Sequence, residues 1–348
     1  MQLFPRRLIL LAIAAGITTA SAHHDIIVYG GTSGGITAAI QAAKDGRSVV
    51  LISPTKHLGG LTTSGLGWTD LGDSAILGGL SREFYHRAYL HYQDEKAWTR
   101  QTREAYGNRG QGGPAFNDKE KITSVFEPKV AEEIFSEMLD EAKVEIVHGQ
   151  LDLANGVVLA GKRIEKIRLD DGREFEGKMF IDASYEGDLL PGAKVSFTVG
   201  REANAEYGET ASGIQAAAAT KNQLVDGIDP YKVKGDASSG LLPGVNADAG
   251  GEDGSADKRL QAYCYRMVLT DVPENKVPIG KPAGYDEAEY ELLFRSIEAG
   301  QGDRFFKFDL MPNRKTDSNN ASGISTDFIG MNYGPGWDWT TLGHKERV

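Results

Sequence analysis

A chain of 348 residues has room for two domains, and 40% hydrophobic with 25% charged residues is an ordinary globular composition. The formal net charge of −11 excludes a protein that grips nucleic acid through its phosphates, because that needs a basic surface. A single cysteine, Cys264, excludes an internal disulfide, a Cys-x-x-Cys redox centre and a four-cysteine iron–sulfur cluster. Redox chemistry here needs an organic cofactor or a metal held by other ligands, and the seven histidines show no HExxH-type spacing.

Residues 1–22 read as a signal peptide. Arg6 and Arg7 precede a short apolar run, Leu8 to Ile17, and Ala20-Ser21-Ala22 is a small-residue cleavage site before His23. The run is too short for a membrane span, and no later run is long enough. The expectation is an exported protein, periplasmic or secreted. The Arg pair suits a twin-arginine route that exports a folded protein, and the general secretory route stays open.

The strongest local signal follows at once. Ile26 to Tyr29 is a short β-rich run, glycines and small residues come next, and Ile36, Ala39, Ile40 and Ala43 then recur at helical spacing. Gly46 is a stop signal, and Val49 to Ile52 is a second buried-strand run. Strand, glycine turn, helix and strand within about 30 residues is the context of a dinucleotide-binding fingerprint. Gly30 permits the tight turn, Gly31 and the segment Thr32, Ser33, Gly34 and Gly35 offer backbone N–H groups to a pyrophosphate, and Gly35 lets the helix pack closely. Two positions depart from the G-x-G-x-x-G pattern. Thr32 replaces the middle glycine, and Ser53 stands where an acidic ribose partner is expected. Ser53 is the expected ribose partner, a weaker one than a carboxylate. Ser53 and Lys56 also leave open an NAD(P) enzyme that accommodates a 2′-phosphate.

After the second strand come Pro54, His57, Gly59, Gly60, Leu61, Thr62 and Thr63, within "SPTKHLGGLTTSGLGWTD". Such a stretch lets the backbone pass close to a flat ligand and supplies hydroxyl donors, so these residues join the expected cofactor site. Further on, Pro128 suits a first helical turn, and Val130, Ile134, Met138 and Leu139 form an apolar stripe. Val144 to Val147 reads as a third strand, then a hairpin with an Asp171-Gly172 turn, then a returning strand over Met179 to Ile181.

"VYGGTSGGITAAI", "HLGGLTTSGLGWTD", "FIDASYEGDLL" and "LMPNRKTDSNNASGISTDFIG" together resemble the bacterial, often exported, FAD-dependent oxidoreductase family with a glutathione-reductase-type FAD domain. The resemblance runs from Asp25 to about Trp339. It implies an α/β fold: a Rossmann-type FAD-binding domain with a β-meander over residues 24–193, and a partial α+β substrate-cap region over 194–348. It places Asp182, Ala183, Ser184, Gly187 and Asp188 near the cofactor. It also places the "NRKTDSNN" segment at the flavin or substrate. There Lys315 would stabilise negative charge on reduced flavin, and Asn313, Asp317, Asn319 and Asn320 would bond a polyhydroxyl substrate. Asn, Asp and Ser also favour turns for local reasons, so a satisfied turn cluster is the competing reading of that segment.

The implied function is hydride transfer from a small-molecule or carbohydrate substrate to FAD, with an external electron acceptor. A non-catalytic polysaccharide-associated binding protein retaining the fold is a further alternative. The family's chains continue beyond "STDFIG" to a glycine-containing helix start beside the flavin ring. None remains before Val348, so a C-terminally truncated member is expected, with weak FAD retention and low turnover.

Overall fold

A computed structural model describes residues 23–220, 223–247, 250–259, 263–302, 307–319, 321 and 327–328. The leader 1–22, Asn320 and the aromatic "YGPGWDW" segment lie outside the described residues.

The first strand, β1 (His23–Tyr29), leads through Gly30–Thr32 into helix α1 (Ser33–Lys44), which is followed by strand β2 (Val49–Ser53). The helix starts on a Thr32 cap. It stops where Gly46 takes φ +77°, a conformation that costs glycine little and other residues more. β1 and β2 pair in parallel, with Val28 opposite Leu51. The strand Glu145–His148 extends the sheet beyond β2, also in parallel. Helix Pro128–Glu141, with Pro128 in its first turn, delivers the chain to that strand.

The other side of β1 pairs in parallel with Glu174–Asp182, and Arg163–Arg168 and Val157–Ala160 complete a six-stranded sheet as antiparallel neighbours. The hairpin turns where expected, with Gly172 at φ +86°. The returning strand differs from the expectation in length. It is one nine-residue strand whose first residues pair with the hairpin and whose body pairs with β1, so meander and core are continuous.

Both faces of the sheet centre are covered, which is why β1 and β2 read as unbroken apolar runs. Val28 and Leu51 point into a cluster with Ile36, Ile40, Ile134 and Met138 of the two helices. Ile27, Tyr29, Val50 and Ile52 point the other way, against Leu151, Ile167, Phe175 and Leu189. Alternation along a strand sends neighbours to opposite faces, and both faces here are core.

A second, three-stranded antiparallel sheet has Lys315–Ser318 at its centre, flanked by Met267–Thr270 and Asp309–Met311. Met311 is fully buried in the core cluster of the first sheet's helices, so this sheet packs directly on the dinucleotide-type unit. No helix among the described residues is long and apolar enough to cross a membrane.

Candidate functional site

The glycines of the β1–α1 turn are demanded by backbone approach. Gly30 has φ +115°, and a β-carbon there would overlap the Ala183 backbone at the end of the returning strand. A β-carbon on Gly35 would overlap the Gly30 carbonyl, and one on Gly31 would overlap the Ser53 side chain. Gly34 is different: a β-carbon there meets only the Thr32 hydroxyl at 3.7 Å. Three of the four glycines therefore close the turn on the sheet, and Gly34 sits at the exposed start of α1.

Thr32 explains its own departure from the pattern. Its hydroxyl donates to the Ala183 carbonyl at 2.9 Å and accepts the Gly35 N–H at 3.2 Å. It is the N-cap of α1 and also a cross-tie to the returning strand. The side chain lies toward the protein, and the α1 N-terminus keeps its partial positive charge for an anion.

Around this turn opens a cleft of about 260 Å³. Gly30, Gly31, Thr32, Ser53, Pro54, His57, Gly60, Ser184 and Asp188 line it as expected from the sequence, and Thr55, Gln150, Tyr185 and Glu186 join them. Ligands of open α/β sheets sit beyond the carboxyl ends of the strands. Gln150 follows the strand ending at His148 by two residues, so that rule was the signal that could have found it. Tyr185 and Glu186 stand inside the "DASYEGD" motif between residues already singled out.

Other expected residues act from behind the lining. Asp182 accepts the Ser184 N–H at 3.0 Å, the Ser184 hydroxyl at 2.7 Å and the Leu189 N–H at 2.7 Å. The Ser184 oxygen accepts from the Gly187 and Asp188 N–H groups. Asp182, Ser184 and Gly187, the last at φ +73°, thus build the turn that presents Tyr185 to Asp188. Gly59 takes φ +106°, and Thr63 folds back to donate to the Leu58 carbonyl at 2.6 Å. Leu61 donates its N–H to the Tyr185 hydroxyl at 2.8 Å, joining the two sides of the cleft.

Ser53, the expected ribose partner, is 1% exposed, packs on Gly31, and donates its hydroxyl to the Thr55 carbonyl at 2.7 Å. That bond shapes the turn and leaves the Ser53 oxygen only as an acceptor. His57 is held at both nitrogens, by the Glu132 carboxylate at 2.7 Å and the Thr63 carbonyl at 2.8 Å. Glu132, on helix Pro128–Glu141, also accepts the Leu58 N–H at 3.2 Å. Sequence spacing gives no hint of that tie, because 74 positions separate the two residues.

Asn313 and Lys315 lie apart from the cleft lining. Asn313 is 3% exposed and takes φ +64° in the tight turn between two strands, a conformation Asn tolerates. Its amide donates to the Ala97 carbonyl at 2.8 Å and to Glu127 at 2.7 Å, and accepts the Arg100 N–H at 3.1 Å. Lys315 pairs with Glu127 at 2.7 Å. Glu127 meets the Tyr92 hydroxyl as well, and burial together with that carboxylate pushes the Tyr92 phenol well above its ordinary range. The turn-cluster reading describes Asn313, and the charge of Lys315 is met by protein. Asp317 is fully buried against Arg266, and Asn319 donates to it at 3.1 Å. Among the described residues no group of three His, Cys, Asp or Glu is placed to hold a metal.

The family described as FAD dependent oxidoreductase matches residues 25–348. The chain belongs to the FAD-dependent oxidoreductase family. FAD is accordingly its cofactor. No curated protein matches the chain. Solved structures similar over part of the chain include L-proline dehydrogenase from P. horikoshii, with 13% identity, 53% of this chain and 59% of that one covered, and a TM-score of 0.33. Thioredoxin reductase from Streptococcus pyogenes MGAS5005 shows 16% identity over 47% of this chain and 36% of its own, with a TM-score of 0.27. Flavin-containing monooxygenase from Stenotrophomonas maltophilia gives 15% identity over 47% and 38%, with a TM-score of 0.27. The chain spans less than two thirds of the length of each of these structures, and the family match carries the assignment.

The residues present fit FAD. The turn closes tightly on the returning strand because its glycines carry no β-carbon, it brings the N-terminus of α1 to the edge of the cleft, and the lining carries no Lys or Arg. Charge neutralisation of a pyrophosphate falls to backbone N–H groups and the α1 dipole.

Proposed function

We propose that this FAD-dependent oxidoreductase removes hydride from a small organic substrate, with polyhydroxyl compounds as the first class to try, and passes the electrons to an external acceptor. Bound FAD supplies the hydride-accepting chemistry, and the protein supplies binding, orientation and electrostatics. The cleft around the β1–α1 turn is the observation that carries this reading.

The chain's own residues have separable tasks in it. Gly30, Gly31 and Gly35 let the turn close, and Thr32 holds that turn to Ala183. The α1 N-terminus offers positive potential to the pyrophosphate. Glu186 and Asp188 bring carboxylates to the lining, which suits ribose hydroxyls and opposes a 2′-phosphate. Lys56 is absent from that lining, so the NADP alternative loses its proposed cation. His57, fixed by Glu132 and Thr63, gives the Gly59–Gly60 backbone a rigid edge.

The leader sequence, Arg6-Arg7 followed by Leu8 to Ile17 and Ala20-Ser21-Ala22, supports export to the periplasm or beyond. The substrate and acceptor would then be met outside the cytoplasm.

Anaerobic mixing of the holoprotein with sugars, polyols and amines, followed at the flavin absorbance band, tests the reaction. Bleaching by one class supports the reading and names the substrate. A band that dithionite bleaches and no member of the panel does contradicts the proposed substrate class.

A further inference from the structure

The loop Gly59–Trp68 has four glycines, and they divide into two pairs. A β-carbon on Gly59 or Gly60 would meet Thr63 or the Tyr185 hydroxyl, beside the cleft. A β-carbon on Gly65 would press on Arg266, and one on Gly67 would fall on the Met311 sulfur. Arg266 precedes the strand Met267–Thr270, and Met311 ends the strand Asp309–Met311. The second half of the loop is therefore glycine because the three-stranded sheet lies on it.

Polar bonds fasten the same contact. Trp68 donates its backbone N–H to the Asp317 carboxylate at 3.2 Å and its indole N–H to the Leu310 carbonyl at 2.6 Å. Asp317 stands on the central strand with no exposed surface. Arg266 donates to both of its oxygens, at 2.7 and 2.8 Å, and the Asn319 amide adds a bond at 3.1 Å. A buried carboxylate persists only when donors surround it, and one of its donors here is a backbone amide of the cofactor loop.

We infer that Asp317 is a positioning residue for the cofactor loop. Through the Trp68 N–H it fixes the far end of the loop, and so the placement of the Gly60–Leu61 backbone at the cleft. The effect on FAD rests on the flavin reading above, while the effect on the loop does not. Leucine at 317 removes the acceptor and the charge. Asparagine keeps an acceptor for Trp68 and strips Arg266 of its counterion.

The test uses the full chain with Asp317→Leu, Asp317→Asn and a control, Leu269→Ala. Leu269 lies in register with Thr316, one residue from Asp317, and so on the opposite face of the sheet. Thermal midpoint, hydrogen exchange at the Trp68 amide and the Kd for FAD are measured for each. Asp317→Leu should speed Trp68 exchange and weaken FAD binding about tenfold or more, with Asp317→Asn intermediate. Leu269→Ala should lower the midpoint and leave both other readouts alone. If Asp317→Leu fails to fold, Asp317→Ala, which also lacks an acceptor, decides. Wild-type Trp68 exchange and FAD affinity within about twofold of wild type in the acceptor-less variant overturn the inference. If the wild-type chain itself binds no FAD, the flavin reading fails separately, and Trp68 exchange still decides whether Asp317 sets the loop.

Discussion

The Thr32 hydroxyl donates to the Ala183 carbonyl at 2.9 Å and so ties the dinucleotide turn to the returning strand. The same oxygen caps α1 by accepting the Gly35 N–H. Thr32→Val removes both bonds with little change of shape. It should cost about 1–2 kcal/mol of stability, read from denaturant unfolding, and weaken FAD binding. Thr32→Gly restores the usual fingerprint, since glycine gives up only a few tenths of a kcal/mol as a cap. Its FAD affinity should exceed that of Thr32→Val. Wild-type FAD affinity in both variants would mean the tie has no part in the site.

The glycines of the turn should respond unequally to one added methyl group. Gly30→Ala and Gly35→Ala place a β-carbon inside backbone atoms, and both should abolish FAD retention on purification. Gly34→Ala meets only the Thr32 hydroxyl at 3.7 Å and should keep the cofactor. It should gain up to about 1 kcal/mol of stability, because alanine is the better residue in a helix. Loss of flavin from Gly34→Ala would show that the ligand approaches this position more closely than the turn geometry requires.

Lys315 and Glu127 form a pair that is mostly shielded from water. Lys315→Met leaves Glu127 without its cation and should cost about 3 kcal/mol or more, while Lys315→Met with Glu127→Gln should recover part of that loss. Chemical denaturation of the two variants measures the difference. Flavin reduction restored along with stability makes Lys315 structural. Stability restored without reduction returns Lys315 to the chemistry.

Alkaline pH should weaken the fold through its buried phenols. Burial holds Tyr29 and Tyr92 well above their ordinary range, partial burial raises Tyr106 as well, and Tyr29 also accepts the Leu151 N–H. Above about pH 10 the unfolded chain releases phenolic protons that the folded chain keeps, so folding stability falls as pH rises. Each such group contributes a slope of up to about 1.4 kcal/mol per pH unit until its folded-state value is passed. Urea midpoints between pH 8 and 11 should show this decline, and Tyr29→Phe should make it shallower. A flat alkaline profile would contradict the burial of these hydroxyls.

The parts of the molecule legible in the sequence are those set by local rules. The strand, glycine turn, helix and strand from Ile26 to Ile52 were visible because apolar period and glycine placement act over a few residues. The observed elements extend those runs only at their ends, to His23 and Ser53. Pro128 and its apolar stripe were legible for the same reason. Partners that arrive from far along the chain were not. Glu127 meets Lys315 across 188 positions, and Trp68 meets Asp317 across 249. Ser53 reads as a ribose partner from its place at the end of the second strand, and its hydroxyl donates to the Thr55 carbonyl two residues on. The sequence likewise does not show that Arg266 and Met311 rest on Gly65 and Gly67.

The central claim is that the β1–α1 cleft holds FAD. The direct measurement is the absorbance spectrum of the purified protein, with mass identification of whatever denaturation releases and the same measurement on Gly35→Ala. The account predicts flavin bands and the mass of FAD from the wild-type chain, and neither from a folded Gly35→Ala. A wild-type chain that takes up NADP and no flavin, or a Gly35→Ala variant that retains FAD fully, would contradict it.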